Sequence, residues 1–136
     1  MGERERLAIF NMLGDLSDKT ALDLFAGTGA LGLEALSRGA KSCTFVEKDA
    51  KALACLKQNL KDLENTKILK TDAYKFEPAN KFDLIFIDPP YDQFDSKILD
   101  FKKYLNKDGI MVISSPTAIS ADSRRYANCW ITLVKQ

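Results

Sequence analysis

Two short stretches carry residues able to do chemistry, and each follows an apolar run. The first, FDLIFIDPPYDQF, spans Phe82–Phe94. Phe82–Ile87 reads as a buried strand, and Asp88, Pro89, Pro90 and Tyr91 follow it directly. Pro89 disfavours a helical conformation at Asp88, Pro90 does the same at Pro89, and neither proline has an N–H. The turn is therefore stiff, with carbonyls free to accept. The Asp88 carboxylate and the Pro89 carbonyl can take the two hydrogens of a planar amine, and the Tyr91 ring can stack on a base. The exocyclic nitrogen of a base is a poor nucleophile, because its lone pair is delocalised into the ring. Two acceptors on its hydrogens favour a localised lone pair, and placement beside a strong electrophile supplies much of the rest.

The second stretch, LDLFAGTGALG, spans Leu22–Gly32. Gly27, Gly29 and Gly32 fit G-x-G-x-x-G between a predicted strand and a predicted helix. Glycines there allow a tight turn and a close approach of ligand to backbone, and the helix N-terminus favours anionic groups. Glu47 ends the next strand about 20 residues on, where a carboxylate can accept from two ribose hydroxyls. This much fits NAD nearly as well as S-adenosylmethionine (SAM). Asp23 helps to choose. It lies inside an apolar strand, and a buried acid without partners is costly. In a SAM site an acid there can meet the ammonium of the methionine moiety, directly or through water. Asp72, after the third strand, is placed to meet the adenine amine; the alternative for it is a cap on Ala73–Phe76.

Composition narrows the chemistry further. The 136 residues include no histidine. A Ser-His or Cys-His nucleophile cannot be built, and metal-dependent hydrolysis loses its commonest ligand. Cys43, Cys55 and Cys129 show no CxxC or CxxH spacing, so neither a disulfide framework nor a zinc site is indicated, and no metal is expected. Three reduced, mostly buried thiols point to a cytoplasmic protein. No apolar run approaches the length of a membrane span, and nothing at Met1–Arg6 resembles a secretory signal. A net charge of +1 is no footprint for strong nonspecific nucleic-acid binding, though an RNA substrate can still be met through a local patch.

The elements that must position these groups alternate between two hydrophobic periods. Arg4–Leu13 reads as a helix, Thr20–Phe25 as a strand, and a helix runs from the glycine loop to about Arg38 before Gly39. Ser42–Val46 is a second strand, and Asp49 is placed to cap a helix ending near Leu63. Thr66–Lys70 and Phe82–Ile87 follow as strands, then a helix from Asp95 or Ser96 to about Tyr104, then strands at Gly109–Ser114 and Trp130–Val134. This order predicts an α/β fold with right-handed crossovers and a doubly wound, mostly parallel sheet in one domain, residues 1–136. Ligands of such sheets bind beyond the carboxyl ends of the strands, and both motifs sit there.

DPPY after the fourth strand, with DLFAGTGALGLEALSRGA and FVEKD before it, resembles the class I SAM-dependent methyltransferases that act on exocyclic amines. More closely it resembles the RsmD-type bacterial enzymes that methylate guanine N2 in 16S ribosomal RNA. RLAIFNML (Arg6–Leu13) and SRRYANCWITLV (Ser123–Val134) extend the likeness over nearly the whole chain. The resemblance implies a Rossmann-like sheet of the seven-stranded type with its last strands antiparallel. It implies SAM contacts from Asp23, Phe25, Gly27, Gly29, Glu47, Lys48 and Asp72, and target-base contacts from Asp88, Pro89, Pro90 and Tyr91. Asn11 is expected to shape the same cleft, and Arg4, Arg6, Arg124 and Arg125 are candidates for phosphate contacts. The expected partner is ribosomal RNA or the small ribosomal subunit, met by a monomer. Two departures stand out. Family members carry an N-terminal extension ahead of the first helix, most of which this sequence lacks, and Pro116–Asp122 is short where a fuller helix is expected.

DPPY serves any planar amine, so adenine N6 in DNA and protein glutamine remain alternative targets. A SAM-binding domain without turnover is the alternative outside enzymes. An NAD-dependent oxidoreductase would leave DPPY idle and lacks a proton donor.

Overall fold

The computed structural model describes residues 1–136. Helix α1 (Glu3–Leu13) precedes strand β1 (Thr20–Asp23), and the chain then runs α2 (Ala30–Ser37), β2 (Ser42–Glu47), α3 (Ala50–Leu60) and β3 (Thr66–Lys70). It returns through β4 (Phe82–Ile87) and β5 (Leu105–Ser115) and closes with β6 (Arg124–Tyr126) and β7 (Cys129–Lys135). Three 3-10 segments, Ala73–Lys75, Tyr91–Gln93 and Ser96–Tyr104, take the place of helices in the second half. No helix is long and apolar enough to cross a membrane.

The seven strands lie in the order β3-β2-β1-β4-β5-β7-β6. β1 pairs in parallel with both β2 and β4, while β7 runs antiparallel to β5 and β6. The first crossovers carry the chain outward from β1 to β3, and the next strand, β4, returns to the other side of β1. The winding direction therefore reverses between β1 and β4. A crevice must open there beyond the strand ends, where a doubly wound sheet takes its ligands.

Burial follows the period of two. On β4, Leu84 and Phe86 join the core on the helical face, with Ile9, Phe10, Leu31, Leu53 and Leu56. Ile85 and Ile87 face the opposite core, with Leu22, Val46, Ile98, Phe101 and Met111. A strand covered on both faces reads as a continuous apolar run, which is why β4 is so plain in the sequence.

The differences from the sequence reading have local causes. The ladder assigns β1 only as far as Asp23, although Leu24 N still donates to Phe86 O at 3.1 Å and Ala26 N to Val46 O at 3.0 Å. β5 begins at Leu105, four residues before the expected Gly109, and its pairing with β4 shifts between Phe82 and Leu84. Asp108 there has φ 65°. The expected helix to Tyr104 is wound as 3-10, with Asp95 capping Lys97 N at 2.9 Å. Strand β6 has no counterpart in the sequence reading. Asp49 caps α3 as expected, accepting from Ala52 N at 2.9 Å.

Candidate active site

The glycine loop leaves the end of β1 and enters α2. Gly27 and Gly29 have φ of 57° and 91°, the left-handed region that costs other residues most. Gly32 serves a different end. A Cβ on it would lie 2.3 Å from Phe45 Cε1 and 2.8 Å from Cys43 Sγ, so its bare backbone is what lets α2 lie against β2. From α3, Asn59 Nδ2 donates to Thr28 O at 2.9 Å and holds the loop from outside.

Glu47 closes the loop from the neighbouring strand. Its Oε1 accepts from Gly27 N at 2.7 Å, and Oε2 accepts from Lys48 N at 3.0 Å and Asp49 N at 2.8 Å. A carboxylate has about four acceptor positions, so capacity for a ligand hydroxyl remains.

Asp23 is 1% exposed and lies behind the loop. Oδ2 accepts from Gly32 N at 3.1 Å, while the buried Oδ1 has no hydrogen-bond partner. Burial pushes this carboxyl from 3.8 up to about 7; the Gly32 amide opposes the rise, and Asp88 and Glu47 add to it.

Across the switch point, Asp88 leaves β4 half-buried and Pro89 is buried, whereas Pro90 and Tyr91 are exposed. Burial raises the Asp88 carboxyl above its usual range, opposed by the Met1 main-chain nitrogen, 3.8 Å from Oδ2, and by the Ser114 hydroxyl. Tyr91 opens a single 3-10 turn, closed by Gln93 N on Pro90 O at 2.8 Å. Its Oη lies 2.8 Å from Ser114 Oγ.

Both motifs open into one cavity of about 1060 Å³. Phe25, Gly27, Glu47 and Lys48 line it from the glycine-loop side, and Asp88, Pro89, Pro90 and Tyr91 from the other. That volume is at or above the roughly 300–1,000 Å³ of ordinary small-molecule sites, so there is room for a nucleoside cofactor and a second group beside it. The residues fit SAM on three counts: an open glycine cradle, where a Cβ on Gly27 would meet nothing within 4 Å; an acid at the end of β2; and an orphaned buried carboxylate oxygen beneath the loop. No group of three or more His, Cys, Asp or Glu is placed to hold a metal ion.

Several sequence candidates do not line the cavity. Asp23 and Gly29 lie behind its wall. Asp72 caps the Ala73–Lys75 segment through Tyr74 N at 3.0 Å, although its neighbours Thr71 and Ala73 do line the site. Asn11 is exposed on α1 and outside the cavity, contrary to expectation, because α1 presents its first turn to the site and not its last. Of the four arginines, Arg6 lines the cavity, while Arg4, Arg124 and Arg125 are exposed. The sequence reading missed Ser114, a plain strand-end serine, and Asn59, a polar residue among many on α3. It also missed Tyr74, whose ring meets Phe25 edge-on at 5.4 Å and whose hydroxyl donates to Gln93 O at 2.6 Å.

Comparison with known proteins brings a family model, described as Conserved hypothetical protein 95, that matches residues 1–133. YlbH of Bacillus subtilis, a candidate rRNA methyltransferase, is 42% identical over 123 residues, covering 81% of this chain and 67% of that protein. Ribosomal RNA small subunit methyltransferase D of Escherichia coli K12 is 38% identical over 94 residues, 65% of this chain and 48% of its own length. Among solved structures, yhhF of Escherichia coli, a candidate methyltransferase, superposes with a TM-score of 0.88 over all of this chain and 87% of that one, at 25% identity. The chain thus spans from about half to two thirds of the length of these two sequence relatives.

Proposed function

The chain belongs to the Conserved hypothetical protein 95 family, that of the RsmD-type rRNA methyltransferases, and on that premise we propose that it transfers a methyl group from SAM to the exocyclic N2 amine of a guanine in 16S ribosomal RNA. One observation carries the reading. The glycine loop and the Asp88–Tyr91 turn, set on adjacent parallel strands, open into the same cavity.

Glu47 and the amides around Gly27 hold the ribose end of the cofactor, with Phe25 and Lys48 beside it. Asp23, behind the loop, is the acid for the methionine ammonium, met directly or through water. Bound SAM supplies an electrophilic methyl group. The rest falls to the chain's own residues. The Asp88 carboxylate and the Pro89 carbonyl accept the two amine hydrogens and orient the nitrogen lone pair. The Tyr91 ring stacks on the base. The half-buried setting of Asp88 strengthens these hydrogen bonds, and its carboxylate can accept the proton the amine must shed. The chain acts as one methyltransferase domain, with the small ribosomal subunit or its RNA as partner in the cytoplasm.

The test is transfer of labelled methyl from SAM to small-subunit ribosomal RNA, presented both naked and assembled, with nucleoside analysis of the product. N2-methylguanosine is the expected product. N6-methyladenosine, or incorporation into protein alone, would overturn the guanine assignment. Binding of S-adenosylhomocysteine with no transfer to any of these would leave a SAM-binding module.

A further inference from the structure

Tyr91 is 37% exposed at the rim of a cavity, where a tyrosine ring ordinarily samples more than one rotamer. Here both ends of it are held. The backbone end follows two prolines and closes its 3-10 turn through Gln93 N on Pro90 O. At the far end Oη lies 2.8 Å from Ser114 Oγ. Ser114 is fully buried in β5, opposite Ile131 of β7, and this contact is its side-chain hydrogen bond. A buried hydroxyl needs such a partner, so the bond is costly to break from either side.

We propose that Ser114 is a positioning residue for base capture, holding the Tyr91 ring at the angle at which it stacks on the target base. This rests on the methyltransferase reading above. A ring tethered through its hydroxyl has already lost the freedom that a loose ring would lose on binding, so the platform is preorganised. Burial pushes the Tyr91 phenol up to about 12, with the Ser114 hydroxyl opposing the rise and Cys129 and Asp88 adding to it, so it stays a neutral hydrogen-bonding group.

The test has two arms. In the first, the protein carries tyrosines labelled with carbon-13 at Cε, and the Tyr91 signal is identified by its loss in Tyr91→Phe. The ring is expected to be ordered in the wild type without ligand, mobile in Ser114→Ala and ordered again in Ser114→Thr. An unchanged Tyr91 signal in Ser114→Ala overturns the inference. In the second arm, kcat for transfer to small-subunit rRNA is expected to fall roughly tenfold in Ser114→Ala and in Tyr91→Phe, with S-adenosylhomocysteine affinity unchanged, as for loss of one positioning hydrogen bond. The double variant should fall no further, because both changes break one link. Losses that multiply in the double variant overturn it. A wild type that orders Tyr91 through Ser114 yet transfers no methyl group would refute the methyltransferase reading and leave the tether standing.

Discussion

Glu47 Oε1 accepts the amide of Gly27 at 2.7 Å, so the acid at the end of β2 and the tightest point of the glycine loop are one unit. On the proposed reading, the carboxylate that would hold the ribose also sets the shape of the glycine loop. Glu47→Gln keeps the side-chain shape but exchanges one acceptor for a donor that faces amides. S-adenosylhomocysteine affinity is expected to fall by about 1–3 kcal/mol, the cost of unmade hydrogen bonds in a partly buried site. Calorimetric titration measures it, and an unchanged affinity would put the ribose elsewhere.

Asp88 stands on the other wall, and its role separates from cofactor binding. Asp88→Ala is expected to abolish methyl transfer while S-adenosylhomocysteine binds within a few fold of wild type. Its pKa adds a second signature. Only the ionised carboxylate accepts from the amine, and burial raises the pKa above the ordinary aspartate value. The acid limb of kcat/KM should therefore lie above the usual carboxylate range, with activity present above the raised pKa and lost as pH falls through it. An acid limb in the ordinary aspartate range would mean that Asp88 is not the titrating acceptor.

Gly32 tests the packing that carries the loop. Gly32→Ala places a Cβ 2.3 Å from Phe45 Cε1 and 2.6 Å from Cζ, and Phe45 is fully buried and unable to retreat. Overpacking of this kind costs about 1–3 kcal/mol. Denaturant unfolding should show a lower midpoint at an unchanged slope, and α2 should be pushed off β2. Wild-type stability in Gly32→Ala would mean that α2 and β2 sit farther apart than the structure places them.

The most legible strands were the apolar ones inside the sheet. β2 and β4 fall at the expected residues or within one of them, because an apolar run ended by Glu47 or Asp88 leaves little choice of register. The halves of the site were legible for the same reason, since each lies directly beyond such a run. The edge strand β3, with no fully buried residue, also falls at the expected Thr66–Lys70. What escaped was set by tertiary contact. β6 is three residues, Arg-Arg-Tyr, mostly exposed, and it is a strand only because β7 pairs with it. The early start of β5 passes through Asn106, Lys107 and Asp108, a turn-like series held instead by Asn106 Nδ2 on Asp83 Oδ1 at 3.0 Å. Ser114 gains its meaning from a tyrosine 23 residues away, a pairing that no local pattern carries.

Asp23 yields the sharpest pH test. Its carboxyl, raised from 3.8 to about 7, is protonated in the folded chain at pH values where the unfolded chain has lost the proton. The folded state binds more protons between those limits, so this group's contribution to stability is full below about pH 3.8, declines as pH rises, and is gone above about pH 7. Asp23→Asn should remove that decline, flattening the thermal midpoint across the window. A bound ligand with an ammonium near Oδ1 works in the opposite sense. It favours the charged carboxylate, lowers the pKa and expels the proton. Titration of S-adenosylhomocysteine just below pH 7, in buffers of different ionisation enthalpy, is therefore expected to show release of a fraction of one proton, absent in Asp23→Asn. Release in the wild type alone would put the methionine end of the cofactor above Asp23. No release would leave this acid as the support of the Gly32 amide, with the ammonium held from the cavity side of the loop.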